Sequence, residues 1–375
     1  MPTPSSKPTP GEAIKAELER RNLTQADLAR LMGRYSPEVN NLISGKRNVT
    51  PELAIELAAA LPGSTPEYWL NLEAARQLSL LPHDVGEVSK RVHLYQLAPI
   101  RDMEKRGWIK PTRDASDLEA ELKKFFDADT LETVPEFPLA MRKGEPLKEL
   151  NPTQRAWCFR ARQLASEQPV GGFEENRMDA LLRELRILAA YPAEARRVAD
   201  VLREFGIRFV VVKHLPNSKI DGAAFWIDER TPAIAVSLRL DRIDNFWFTL
   251  MHECTHIRNR DAISIDTEMG VEERCQPLMK DEIERRADEG AAAALIPPSE
   301  LESFIRRIGP IYAKSNVIQF AHRMKIHPGI IVGQLQHRAE LKFGAHREML
   351  PKVREYVVTT AVTDGWGVEL SPDSD

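Results

Sequence analysis

Apolar residues recur at helical spacing over most of the chain, and the spacing changes to that of strands in one stretch only. Residues 11 to about 78 read as short helices with clear punctuation. Thr24 can cap a helix, with Asp27 in the capping-box position and Leu28, Leu31 and Met32 at helical spacing behind it. Gly33 interrupts. Ser36-Pro37 reads as a cap followed by a first-turn proline, opening a helix with Val39, Leu42 and Ile43 inward, and Gly45 ends it. Thr50-Pro51 and Thr65-Pro66 repeat the signal before Leu53–Leu61 and before a helix through Trp69 and Leu72.

Residues 81–195 hold charged helical patterns (Leu118–Phe126, Arg177–Ala190) and a proline-rich stretch from Val134 to Pro152. No chemistry is legible there. Beyond 196 the texture changes. Val198–Phe205 predicts a helix stopped by Gly206. Ile207–Lys213, Gly222–Ile227 and Ala233–Leu238 predict strands, with a turn over Pro216–Asp221. Helices are predicted over Asp241–Ile257 and Asp281–Ile296, the latter stopped by Pro297-Pro298, with Pro328 opening another through Leu335.

Composition narrows the picture. At 375 residues and 42% hydrophobic content the chain can build two or three cored domains. A net charge of −4 excludes a general polyanion binder, so nucleic-acid contact must come from a local surface. Three cysteines (Cys158, Cys254, Cys275) make no disulfide framework and suit a reducing cytoplasm. The start, MPTPSSKPTP, lacks the apolar run of a secretion signal, and no segment has the length of a membrane span.

Two motifs carry chemistry. In a helix, His252 and His256 lie about 5–6 Å apart on one face, four positions from each other. Both can reach one Zn²⁺ at about 2.0–2.1 Å. Glu253, between them in His252-Glu253-Cys254-Thr255-His256, is rotated off the metal but can take a proton from a water there, the arrangement metal-assisted hydrolysis needs. Phe246, Leu250, Cys254 and Ile257 give this helix an apolar back. A catalytic zinc needs a third protein ligand. Glu284 is the first candidate, because Ala287 and Ala291 on its face permit a close helix approach; Asp288 is second, and Asp281 and Glu282 trail. Cys275 fits an ordinary cysteine better than a regulatory thiol. Tyr312, His322 and His327 fit structural roles better than stabilisation of a tetrahedral intermediate, and Trp226, Phe246 and Trp247 read as core or cleft aromatics.

The second motif is a pair of short helices. Thr24–Met32, a turn at Gly33–Tyr35 and Ser36–Ser44 have the lengths of a helix-turn-helix. Tyr35, Ser36, Asn40 and Asn41, with Glu38, would stand near the groove, and asparagine can read adenine. Gln25, Lys46 and Arg47 suit phosphate. Residues 11–50 hold seven basic and five acidic side chains, a net +2, so tight binding would need dimerisation or a specific site. A plain helical interaction domain is the alternative.

Both motifs carry a family resemblance. KIDGAAFWID, NFWFTLMHECTHI, EIERRADEGAAAALIPP and IQFAHRMKIHPGIIVGQLQHR resemble the ImmA/IrrE family of zinc-dependent endopeptidases over about residues 196 to 345. This implies a zincin-like domain with His252, His256 and Glu284 as zinc ligands and Glu253 as catalytic base, acting on a transcriptional repressor. Cys254-Thr255 replaces the small or apolar pair common inside the motif, at positions that should not face the metal. LTQADLARLMGRYSPEVNNLISGKRNVTPELAIELAAALPGSTPEYWLNLEA resembles Cro/C1-type repressors, especially the HigA-type antitoxins, over about residues 11 to 80. Tyr35 and Pro37 depart from the small polar residues commoner at the start of the recognition helix.

The expected architecture is mainly α with a small β-sheet (α+β). It comprises a disordered tail (1–10), a lambda-repressor-like helix-turn-helix bundle (11–80), a helical connecting region (81–195), a zincin-like metallopeptidase core (196–300) and its helical C-terminal part (301–375). The expected function is that of a cytoplasmic DNA-binding regulator, a homodimer on operator DNA. Its zinc endopeptidase domain would cleave a repressor or antitoxin, or control its own operon. A non-proteolytic HigA-like antitoxin holding a cognate toxin is the alternative, and a purely structural zinc is a third reading.

Overall fold

A computed structural model describes residues 8–80, 86–135, 137, 150–261, 263–267 and 282–366. The backbone alone is described at 263–267. The architecture is α+β, and the chain divides into two compact units, Met1–Ser89 and Lys90–Asp375.

The first unit is five helices: α1 (Pro10–Arg21), α2 (Gln25–Leu31), α3 (Ser36–Ile43), α4 (Pro51–Ala60) and α5 (Pro66–Leu80). Capping sets their starts. Thr9 and Glu12 form a reciprocal box on α1, which starts at Pro10, inside the segment expected as a tail. Thr24 and Asp27 do the same on α2, as predicted, and Thr50 accepts the Leu53 amide at the start of α4. At α3 the cap is Tyr35, not Ser36; Ser36 is already helical, and Glu38 reaches back to the Tyr35 amide. Gly33 and Gly45 take the left-handed φ of 60° and 72° that ends α2 and α3 without the strain a side chain would add. Ile14, Leu28, Val39, Leu42, Leu57 and Trp69 fill the core. Each such side chain stabilises by about 1.5–3 kcal/mol. A Cβ on Gly11 would fall 2.0 Å from the Ile43 carbonyl oxygen, so α1 and α3 can cross this closely only with glycine there.

The second unit is a sheet with helices on both faces. Its strands are β1 (Arg208–Val212), β2 (Ile220–Asp228), β3 (Thr231–Val236), β4 (Ile263–Thr267) and β5 (Val362–Asp364), in the order β4-β2-β3-β1-β5. β1 runs parallel to β3 and β5, while β2 is antiparallel to β3 and β4. The alternation of side chains separates two cores. Val210, Val212, Ala223 and Phe225 face one way, and Val211, Ala224, Trp226 and Ile234 the other.

The first of these faces is covered by helices from the segment read as a connecting region. They are α6 (Gly86–Leu97), α7 (Ile100–Lys105), α8 (Ala115–Phe126) and α9 (Pro152–Ser166). Of these α9 packs on the strands, where Trp157 Nε1 donates to the Val212 carbonyl at 2.9 Å, and Leu94, Met103, Leu122 and Phe126 of the others join the same core. Most of the proline-rich stretch 134–152 lies outside the described residues. The second face carries α10 (Met178–Leu188), α11 (Val198–Glu204), α12 (Ile243–Asn259), α13 (Glu282–Leu295), α14 (Pro298–Ile308), α15 (Lys314–Met324) and α16 (Pro328–His337). β2 starts before the predicted strand, inside the predicted turn, because Ile220 is buried and Asp221 is engaged by Arg239 through two hydrogen bonds of 3.2 and 3.1 Å. Among the described residues no helix is long and apolar enough to cross a membrane.

Candidate metal centre and nucleic-acid interface

The helix α12 has the expected apolar back: Phe246, Leu250, Cys254 and Ile257 are all buried. Its other faces meet β2 and α13. On the α13 side the helices are close enough that a Cβ on Gly290 would stand 2.6 Å from Thr255 Cγ2. Ala287 and Ala291 are fully buried along the same helix. Small residues thus bring Glu284 to the histidines.

His252 Nε2 and His256 Nε2 are 2.9 Å apart. Glu284 places Oε2 3.2 Å from the first and Oε1 3.8 Å from the second. One donor atom from each of the three residues lies within 4.8 Å of the others. The ring nitrogens on the far side also have carboxylates. His256 Nδ1 is 2.8 Å from Asp261 Oδ2, and His252 Nδ1 is 3.1 Å from Asp288 Oδ1. Asp288 therefore stands behind His252 and away from the point of convergence. Glu282 pairs with Arg285 in solvent, while Asp281 and Cys275 lie outside the described residues.

Glu253 is fully buried on the sheet side of α12. Its carboxylate is seated over Gly222, where an added Cβ would be 2.8 Å from Oε1 and 2.6 Å from Thr249 Cγ2. Burial and the neighbouring Glu253 charge push the Cys254 thiol far above its ordinary range, which leaves it unreactive. Burial, followed by the same charge, raises the Cys158 thiol too.

Of the other polar candidates, Tyr312 and His327 are engaged in the scaffold. The Tyr312 hydroxyl donates to Glu340 at 2.5 Å, and burial, then Glu340, pushes its pKa up to about 12. His327 caps α16 by accepting the Gly329 amide, and His322 is exposed on α15. A residue not singled out by sequence is His337, whose ring lies 5.7 Å from Phe248, itself 6.2 Å from the His252 ring. No spacing rule connects His337 or Asp261 to the motif; only the fold does.

In the first unit, Gln25, Tyr35, Ser36, Asn40, Asn41 and Lys46 are all exposed around α2 and α3, with Tyr35 at 82%. Arg47 differs, being half-buried with its guanidinium 2.8 Å from Glu38, a carboxylate that Arg34 also approaches at 3.7 Å. Leu31, predicted to lie with the apolar set of α2, is exposed beside them.

The helix-turn-helix family profile matches residues 14–69, and the profile described as the IrrE N-terminal-like domain matches residues 202–339. The chain is 36% identical over 75 residues to an uncharacterised HTH-type transcriptional regulator, YddM, of Escherichia coli, covering 20% of this chain and 79% of that protein. It is 48% identical over 69 residues to the antitoxin HigA-1 of Vibrio cholerae, covering 18% of this chain and 64% of the antitoxin. A third similarity, 32% identity over 80 residues, is to virulence-associated protein A' of Dichelobacter nodosus, 21% of this chain and 66% of that one. The chain belongs to the helix-turn-helix transcriptional regulators of the Cro/C1 type, and it joins that domain to one of the ImmA/IrrE metallopeptidase family.

Proposed function

We propose that the protein is a DNA-binding regulator whose second unit is a zinc-dependent endopeptidase acting on a repressor or antitoxin-type protein, or on the control of its own operon. The observation that carries this reading is the convergence of His252 Nε2, His256 Nε2 and a Glu284 carboxylate oxygen within 4.8 Å, with Glu253 on the adjoining side of the same helix. Two imidazoles and one carboxylate are a donor set for catalytic zinc. His252, His256 and Glu284 would hold the ion, which supplies Lewis acidity towards a peptide carbonyl and a water. Glu253 would take the proton of the attacking water and pass it to the departing amine. The carboxylate is well placed for this, because a buried base over a glycine has little freedom to turn away.

In the first unit, Asn40 and Asn41 would read base edges, with Tyr35 and Ser36 at the groove. Gln25, Lys46 and Arg47 would bind phosphate. Pairing of two copies on the half-sites of operator DNA, in the cytoplasm, completes the reading.

Elemental analysis tests it. Wild type should carry about one zinc per chain and His256→Ala clearly less. A wild-type protein that takes up no zinc would remove the peptidase from the proposal. A second reading is supported by the likeness to an antitoxin: the chain holds a cognate toxin without cutting anything. It predicts that Glu253→Gln leaves regulation intact while a toxin encoded nearby is still neutralised. A structural zinc would instead make chelation melt the second unit, with Glu253→Gln silent.

A further inference from the structure

Three strands of the sheet, β1, β3 and β5, run in one direction, and their registers bring the carboxyl ends level: Val211 pairs with Val236 and Val212 with Asp364. The segments that leave those ends lie side by side. They are Lys213-His214 after β1, residues 237–239 after β3 and Gly365-Trp366 after β5. The Lys213 amide donates to the Asp364 carbonyl at 2.9 Å, and Trp366 Nε1 donates to the Ser237 carbonyl at 2.8 Å. Arg106, the residue after α7, donates to the Lys213 and His214 carbonyls, each at 2.6 Å. Arg354 donates to the Leu238 carbonyl at 2.9 Å. The carboxyl ends of parallel strands are where open α/β sheets hold their ligands.

Four cations meet at this end of the sheet. Lys213 Nζ is 4.6 Å and Arg354 Cζ 3.9 Å from the centre of the Trp366 ring, and Arg106 and Arg239 flank them. Carboxylates answer only part of this charge. Asp221 takes Arg239 at 3.1 Å, Asp241 lies 3.7 Å from Arg354, and Asp364 is taken by Arg160 at 2.6 Å. Among the described residues no carboxylate forms an ion pair with Lys213 or Arg106, so two positive charges are left over. Donors are left over as well: His214 Nδ1 and Arg354 Nε are enclosed without a hydrogen-bond partner. Unmatched buried polar atoms of this kind mark places where an ion or water belongs. Burial, then Arg239, Arg106, Lys213 and Arg354, hold the His214 pKa below its ordinary value, so all four cations are felt at one ring. Each of these side chains is half-buried and so within reach of solvent, and Gly365 between them is exposed. A Cβ on Gly365 would stand 3.0 Å from Lys213 Cβ and 3.6 Å from Arg106 Nη1, so the glycine leaves both cations uncovered.

We propose that the carboxyl ends of β1, β3 and β5 form a binding site for a phosphate group, free or carried by a small molecule, with Lys213 and Arg106 as its charge partners. A dianion matches two unanswered cations, where a single carboxylate would match one. Its oxygens accept from several donors at once, and hydrogen bonds between ions are the strong ones. The site uses no residue of the metal centre or of the groove-facing surface, so it stands apart from the function proposed above.

The full-length protein is titrated by calorimetry with inorganic phosphate and with adenosine monophosphate, at an ionic strength fixed with sodium chloride. The His214 ring is followed by NMR in the same titrations. Wild type should bind, and the His214 signals should move with occupancy. Lys213→Met keeps the stem beside Gly365 and removes the charge. It should weaken binding about 10- to 100-fold, the worth of a hydrogen bond to a charged group, and leave His214 still at concentrations that saturate wild type. Lys213→Gln takes its place if the methionine variant fails to fold. Tighter binding of the nucleotide than of inorganic phosphate would assign the site to a phosphorylated small molecule; equal or weaker binding would assign it to free phosphate. The inference is overturned if wild type binds neither anion, or if binding is the same without the Lys213 charge.

Discussion

The two units expose their candidate chemistry in opposite ways. In the helix-turn-helix unit Tyr35, Asn40, Asn41 and Lys46 stand in solvent over a core that does not involve them. In the second unit His252, Glu253 and His256 are themselves almost fully buried, between the sheet and α13. A surface reader can change its side chains without disturbing its fold. A buried centre cannot, because its members also fill space and carry polar groups that must be matched. The first unit is therefore expected to tolerate changes at its functional residues, and the second to couple chemistry to stability.

Glu253→Gln tests the contrast most severely. It should reduce any peptide hydrolysis by about 10²- to 10⁴-fold, the usual worth of a positioned base, in a cleavage assay on the natural partner. Operator binding by gel shift should be unchanged; a parallel loss of both would make the units one functional body. Next comes Asn41→Ala, expected to weaken specific operator binding by about 1–3 kcal/mol while shifting thermal stability by less than about 0.5 kcal/mol. A large stability loss there would break the distinction between reading surface and scaffold. Gly222→Ala sharpens the other side. Its Cβ would crowd Glu253 and Thr249, and a cost of about 1–3 kcal/mol should appear in the urea transition of the second unit alone.

The smallest effect is one of pH. Glu73 is buried in the first unit, and burial pushes its carboxyl up. Hydrogen bonds from Arg76, Gln77 and the Val49 amide outweigh that and hold it below its ordinary 4.5. A depressed folded pKa gives stability that is complete above 4.5 and fades as pH falls below it. Acid titration of the first unit should show this loss, and Glu73→Gln should flatten it.

Legibility in the sequence followed the same divide. Caps and apolar stripes are local, so α2, α4 and the buried face of α3 could be placed from Thr24, Thr50, Val39 and Leu42. The true cap of α3 was obscured because Ser36-Pro37 looks like a start signal, whereas Tyr35 needs only its backbone to serve. The spacing of His252 and His256 is also local. The place of Glu284 required two helices to meet; Ala287 and Ala291 hinted at it, and the family resemblance implied it. Asp261 was invisible because its position depends on one left-handed residue after the helix, and Gly222 because its partner lies on another element. The helices α6–α9 carry amphipathic patterns, yet nothing in their own sequence says that the core they join is completed by a sheet formed later in the chain. β5, with three residues, is too short to show a period.

That last strand has a consequence for how the protein is made. Val362–Asp364 pairs with β1, and the Asp364 carboxylate receives Trp108 Nε1 at 2.9 Å and Arg160 Nε at 2.6 Å. The edge of β1 is thus closed by nearly the last described residues, and the layer of α6–α9 is fastened by the same side chain. A ribosome delivers the chain from its N-terminus at about 5–20 residues per second. The helix-turn-helix unit, complete by residue 89, can fold and search for DNA while translation continues. The second unit must wait with an open strand edge, so the order of synthesis completes the helix-turn-helix unit before the sheet of the second unit can close.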